Sequence, residues 1–171
     1  MQRTWNENKP AQNTEGRTMS VTIRAATPHD AESVASLGRE FVAYLQALGD
    51  PHPHCLSAEE YLRDGFGENP GFSGLIAELD GQVVGDLLYC RSYDNDLGGR
   101  ILYIIDLFVR ENARRRGVAR ALMQEAGNIC RRGGGHGLLW CVYTRNKAAT
   151  AFYENLGAKH FQTLKFMHWS V

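Results

Sequence analysis

Apolar and polar residues alternate from Ser20 to Ala26 (SVTIRAA), which predicts a strand with one buried face. Thr27-Pro28-His29-Asp30 follows, offering an N-cap, a proline at the first helical position and an acid in the first turn. A helix is therefore predicted from here, with Ala31, Val34, Ala35, Phe41, Val42, Leu45 and Leu48 as its apolar face, reaching about Gly49. Ser57-x-x-Glu60 is a second capping-box pattern and predicts a shorter helix ending near Gly65.

Three strand-like runs come next: Phe72 to Leu79, Gln82 to Arg91 and Arg100 to Val109. Asp80-Gly81 between the first two is a strong hairpin signal, so an antiparallel meander is expected. Val118, Ala121, Leu122, Ala126 and Ile129 then mark one face of a helix that runs out before Gly133-Gly134-Gly135. Leu138 to Tyr143 reads as a short buried strand, Lys147 to Leu156 as a helix stopped by Gly157, and Lys165 to Val171 as a final strand. The predicted order is βααβββαβαβ, a mixed α/β fold around a central sheet.

At 171 residues the chain can bury a core as one domain. Residues 1–19 are polar and aperiodic, and are expected to be a flexible extension or an upstream start that leaves 20–171 as the folded domain. Nineteen basic residues offset nineteen acidic ones, so the overall positive field of a general nucleic-acid binder is missing. Cys55, Cys90, Cys130 and Cys141 form no C-x-x-C pair and suit reduced thiols better than a disulfide framework. No apolar run approaches the roughly 20 residues of a membrane span, so no membrane partner and a cytoplasmic location are expected. His52-x-His54-Cys55 offers three ligands at most, with no second cluster placed to complete a zinc site, and no metal is expected.

Charge is concentrated in Ala113 to Leu122, ARRRGVARAL, between the apolar strand ILYIIDLFV and an amphipathic helix. A strand-loop-helix junction presents unpaired backbone N–H groups at the positive end of a helix dipole, where a phosphate can sit. Gly117 and Ala119 are small enough to let the backbone approach an anion, and Arg114, Arg115, Arg116 and Arg120 can add charge. The rival reading is a solvated basic first turn.

Arg114-Arg115-Arg116-Gly117-Val118-Ala119 fits the R/Q-x-x-G-x-G/A signature of the GNAT superfamily of N-acetyltransferases, which this sequence resembles from about Val21 to Ala158. It is similar in particular to the diamine and polyamine N-acetyltransferases, through Asp64-Gly65-Phe66-Gly67-Glu68-Asn69-Pro70, Ala77-Glu78, Tyr93-Asp94, Leu102-Tyr103 and Asp106-Leu107-Phe108-Val109. The resemblance implies a mostly antiparallel central sheet flanked by helices, with a splayed parallel strand pair that holds acetyl-CoA as co-substrate. It also implies a homodimer acting on a small-molecule amine. In that picture the backbone of Leu107, Phe108 and Val109 pairs with the pantetheine arm. The loop from Arg114 to Arg120, Val118 included, holds the pyrophosphate, and Asn146 contacts the arm, although Asn146 also reads as a plain N-cap.

Transfer of an acetyl group from a thioester to an amine needs a neutral nitrogen. An alkyl ammonium with a pKa near 10.4 leaves only on the order of one molecule in a thousand neutral at pH 7. A proton acceptor, a partner for the developing oxyanion and a donor for the leaving thiolate are therefore required. By resemblance Tyr153 is the thiol's proton donor; from helix spacing alone it is a packing residue beside Phe152. Asp106 interrupts an apolar strand, where a lone carboxylate is costly. It is expected to attract the amine or relay its proton, with service to a strand bulge as the alternative. Asp94 is a second acidic contact or a solvated turn in YDND.

Departures from the polyamine pattern matter equally. Ile105 stands where those enzymes carry a glutamate base, Leu45 where a carboxylate is expected on the first helix, and Phe161-Gln162-Thr163-Leu164 lacks their acids. A long polycation would meet few anionic partners, which favours a smaller primary amine or an amino-acid-like substrate. The base is then Asp106, a water chain, or nothing if the amine arrives neutral. Two other functions compete: a regulatory protein that binds acyl-CoA without turnover, and a nucleic-acid module using the arginine loop.

Overall fold

The computed structural model describes residues 20–49, 54–96, 98–162, 165 and 167–170. Residues 1–19, expected to form an extension, lie outside the described residues, as does His52. The elements are β1 (Val21–Ala25), α1 (Ala31–Ala47), α2 (Ala58–Phe66), β2 (Ser73–Leu79), β3 (Gln82–Asp94), β4 (Gly99–Val109), α3 (Val118–Arg132), β5 (Gly137–Trp140) and α4 (Lys147–Glu154). The strands form one sheet in the order β1-β2-β3-β4-β5, antiparallel throughout except for the parallel β4–β5 pair. This is the mostly antiparallel α/β sheet with one parallel pair that the sequence pattern and the resemblance led us to expect.

Local signals explain the main boundaries. Asp80 and Gly81 both adopt positive φ (50° and 79°), the backbone that a two-residue hairpin needs to match the twist of its strands. Ser57 caps α2 by accepting from Glu60 N at 3.1 Å, while Glu60 accepts from Ser57 N at 2.8 Å. Pro28–Asp30 forms a short 3-10 turn instead of the first turn of α1. Tertiary contacts explain this: the buried Asp30 accepts from Thr27 N and Thr27 Oγ1, both at 2.8 Å, and takes a two-pronged bond from Arg24 of β1 at 2.7 and 2.8 Å.

Arg24 holds the Asp30 carboxyl down at about 2, against the cost of its burial. A depressed carboxyl pKa stabilises the fold above the unfolded-state value, and that stability is lost as the pH falls through the folded one. Asp30→Asn is expected to cost about 1–2 kcal/mol at pH 7, with the gap to wild type closing towards pH 2. Denaturant unfolding at the two pH values checks it.

Each sheet face has its own helices. On one, Leu122, Met123 and Ala126 of α3 pack on Leu75, Ala77, Leu87, Leu102 and Ile104. On the other, Ala31 and Val34 of α1 and Tyr61 of α2 cover Ile76. Full burial of side chains such as Leu87 and Leu122 contributes roughly 1.5–3 kcal/mol each.

The predicted final strand is corrected. Lys165 and Met167–Ser170 belong to no strand, while Phe166 and Val171 lie outside the described residues. Met167 and Trp169 are 96% and 88% exposed. Alternation supplies an apolar face but no partner, and among the described residues β5 pairs with β4 alone.

Candidate active site

β4 carries the feature that opens the sheet. Leu88 of β3 faces Asp106, but the next residue, Tyr89, faces Ile104, so Ile105 is the extra residue of a β-bulge. On its other side β4 pairs with β5 only from Ile101 to Ile104, against Gly137 to Trp140. Ladder pairing therefore stops at the bulge. Beyond it Leu107, Phe108 and Val109 of β4 and the segment Cys141–Tyr143 line a cavity of about 570 Å³. Phe41, Tyr44 and Leu45 of α1, the loop before α3, and Phe152 and Tyr153 of α4 complete its walls.

The loop entering α3 is shaped for an anion. Arg115 and Gly117 both have positive φ (63° and 82°), and Gly117 occupies the N-cap position without any side chain to satisfy the first-turn donors. The first turn of α3 contains no acid. Left-handed backbone positions of this kind turn successive N–H groups into a concave anion nest, here at the positive end of a 15-residue helix. Glycine tolerates such a φ without penalty, whereas a side chain at Arg115 holds it at a cost.

The arginines divide by role. Arg114 Nε donates to Val109 O at 3.0 Å, and its guanidinium lies 4.8 Å from the Tyr44 ring and 5.7 Å from the Phe108 ring. It ties the loop to β4 and α1, so its charge is stacked into the wall. Arg115 and Arg120 line the cavity along with Gly117, Val118 and Ala119; Arg116 does not.

Asn146 serves as the N-cap of α4. Its Oδ1 accepts from Ala149 N at 3.0 Å and from Tyr44 OH at 2.9 Å, and the residue is buried at the cavity edge. The N-cap expected from the sequence is present, and the same residue lines the cavity. Tyr44 connects two of these features, since it bonds Asn146 and stacks under Arg114. Nothing in the sequence pattern singled it out.

Tyr153 stands between Trp140 and Phe152, with ring centroids 4.8 and 5.1 Å away. Burial, and secondarily the charge of Asp106, push its phenol up to about 12, so the hydroxyl keeps its proton at any ordinary pH. Asp106 lines the same cavity, and burial raises its carboxyl to about 6. It is therefore mostly ionised at pH 7 yet basic enough to take up a proton. Ile105 (42% exposed) and Leu45 also face this space, so the two positions where the resemblance leads one to expect carboxylates are apolar wall.

Asp94 is not brought to this site. It pairs with Gly99 at the hairpin end of β3, six residues beyond Leu88, the partner of Asp106. That separation is roughly 20 Å along a strand. Conversely, the structure reveals Asp86, only 6% exposed, on the same face of β3 and diagonal to Asp106. Sequence reasoning passed over it, although an acid within Val83-Val84-Gly85-Asp86-Leu87-Leu88 is the same signal that drew attention to Asp106. Among the described residues no group of three or more His, Cys, Asp or Glu is placed to hold a metal. No helix there is long and apolar enough to cross a membrane.

With a split parallel pair, an anion nest at a helix start and a paired acid and phenol in the space between, comparison with known proteins is decisive. The profile of the acetyltransferase (GNAT) family matches residues 25–158. The chain belongs to this family. Over 158 residues it is 31% identical to the thialysine N-epsilon-acetyltransferase of Sus scrofa, covering 87% of this chain and 90% of that one. It is 29% identical to the human spermidine/spermine N(1)-acetyltransferase-like protein 1, over 80% of this chain but 20% of the longer relative. These likenesses match the diamine and polyamine branch. Among solved structures, an integron cassette protein from V. cholerae superposes with a TM-score of 0.73 at 23% identity, covering 90% of this chain and 94% of the other. That likeness shows a shared fold. This GNAT chain is an N-acetyltransferase, and the two relatives above are named for amine substrates.

Proposed function

We propose that this GNAT protein transfers an acetyl group directly from acetyl-CoA to the primary amine of a small, amino-acid-like molecule. The observation that carries this reading is the end of β4–β5 pairing at the Ile105 bulge, which opens a cavity between the anion nest and the pair Asp106 and Tyr153. When bound, acetyl-CoA would supply an activated acyl carbon and a thiol leaving group. The donor set suits it: first-turn N–H groups of α3 with Arg115 and Arg120 for the diphosphate, and main-chain groups of Leu107, Phe108 and Val109 for the amide-containing arm. In this reading Asn146 offers its amide N–H donors, since among the described residues both bonds of its side chain run through Oδ1.

Asp106 takes the proton of the ammonium ion, breaking N–H and forming O–H, so that the nitrogen lone pair is free to attack. As the C–N bond forms and the C–S bond breaks, Tyr153 gives its phenolic proton to the departing sulfur and regains one from the second proton that the acylated nitrogen sheds. Holding both reactants in one slot supplies much of the remaining acceleration. Among the described residues the amine end of the cavity carries one carboxylate, Asp106, where a polycation would need several, since Ile105 and Leu45 are apolar. The thialysine relative, whose name specifies a side-chain ε-nitrogen, supports an amine on a short amino-acid-like chain. The resemblance adds a homodimer to this reading, which the mass of the protein in solution tests.

Mixing the protein with acetyl-CoA and a panel of thialysine, lysine, short diamines and spermidine, while following free thiol, tests the proposal. Amine-dependent release is expected, fastest with the amino-acid-like compounds and slow with spermidine. Absence of release across the panel overturns it, and preference for spermidine overturns the substrate class.

A further inference from the structure

Among the described residues two buried acids, Asp30 and Asp86, take no part in the reaction above, and Asp30 is already held by Arg24. Asp86 lies in an unbroken cross-strand row, Arg24, Ile76, Asp86 and Phe108, whose members face each other in register and therefore point to one side of the sheet. Leu88 and Asp106 form the next row on that side, so Asp86 and Asp106 are diagonal neighbours, positions about 7–8 Å apart in such a ladder. Asp106 reaches the cavity and Asp86 does not.

Among the described residues no cation pairs with Asp86. Arg24, two strands away in its row, is engaged by Asp30 at 2.7 Å and Glu78 at 2.8 Å. Glu40 of α1 and Arg110, just beyond β4, pair with each other at 2.9 Å. Tyr61 of α2 directs its hydroxyl to Thr27 O at 2.9 Å. The hydrogen bond that reaches the Asp86 carboxyl comes from its own main-chain N–H. A charge so enclosed, beside a second carboxylate, is costly, and the cheaper state is the neutral acid.

We propose that Asp86 and Asp106 work as one carboxyl pair, in which Asp86 keeps the pair's resident proton and so leaves Asp106 as the ionised member that meets the ammonium ion and takes its proton. Asp86 is a positioning residue in this scheme, acting through Asp106. The transferred proton leaves Asp106 for solvent through the cavity, while the Asp86 proton stays in place, so one proton enters the pair and one leaves per turnover. Burial and the charge of Asp106 raise Asp86 to about 8, above the value of about 6 that burial gives Asp106. The two steps belong to the pair as a unit.

The inference rests on the acetyltransfer reading, and Asp86→Asn separates the two because it copies the neutral acid. The ratio of kcat/KM for the variant to that of wild type, with one amine, is expected to be flat from about pH 6 to 7 and to diverge several-fold above about pH 8. Dividing the profiles cancels the titration of the amine itself. Infrared difference spectra are expected to show a protonated-carboxyl band in wild type at pH 7 that fades near pH 8 and is absent from Asp86→Asn. A ratio flat up to pH 9, or a wild type without that band at pH 7, overturns the pair. If no amine is acetylated, the function fails instead, and the infrared band still decides the state of Asp86.

Discussion

Replacing Tyr153 by Phe lowers kcat by roughly 10²-fold while leaving the affinity for coenzyme A within a factor of two. The effect is expected at the lower end for acid catalysis because a thiol with a pKa near 8.5 is a tolerable leaving group without help. Packing hardly changes, since Trp140 and Phe152 contact the ring that phenylalanine keeps. Wild-type Tyr153 holds its proton up to about pH 12, so the defect is expected to have the same size from pH 6 to 9. Single-turnover thiol release combined with calorimetric titration of coenzyme A separates the two quantities. Wild-type turnover in the variant would leave the departing sulfur to be protonated by another group. An affinity loss matching the rate loss would make Tyr153 a wall residue only.

Local backbone chemistry was legible in the chain, and three-dimensional register was not. Asp80-Gly81 announced its hairpin because two adjacent positive φ angles restrict the residue types that can occupy them. Asn146 announced a helix start because its short amide can cap a first-turn N–H, and the Arg114–Ala119 motif marked the loop. How the arginines are used depends on partners from elsewhere in the chain: Arg114 lines the cavity with its guanidinium stacked on Tyr44, some seventy residues earlier, whereas Arg116 stays out of it. The sequence offers Asp106, inside an apolar strand, and Asp94, in the turn-like YDND, as acidic contacts for the amine. The pairing register separates them by half the length of β3, and the same register brings Asp86 to Asp106. Lys165 to Val171 has strand-like alternation, yet a strand exists only where another offers its edge.

Asp106→Asn is expected to damage turnover and strengthen the fold at once, and that combination distinguishes a proton acceptor from a structural acid. At pH 7 the variant loses both the anion that attracts the ammonium ion and the base that takes its proton, so kcat/KM falls by roughly 10²–10³-fold. In wild type, activity rises as Asp106 ionises near pH 6; in the variant that limb disappears and the remaining activity climbs with the fraction of neutral amine. An amine of lower pKa therefore recovers part of the loss.

Stability moves the other way. Burial raises the carboxyl from 3.8 to about 6, so between those values the folded state binds a proton more tightly than the unfolded chain does, and stability drops as the pH rises through that window. An uncharged amide avoids the penalty. The variant is expected to gain about 2 kcal/mol over wild type above pH 6, with the advantage shrinking towards pH 4. Were Asp106 there to secure the bulge at Ile105, its removal would weaken the fold at every pH and spare the shape of the pH-rate profile. Thermal unfolding and the pH-rate profile, measured on one preparation, decide between the two, because the acid that costs the fold stability above pH 6 is the one that frees the amine.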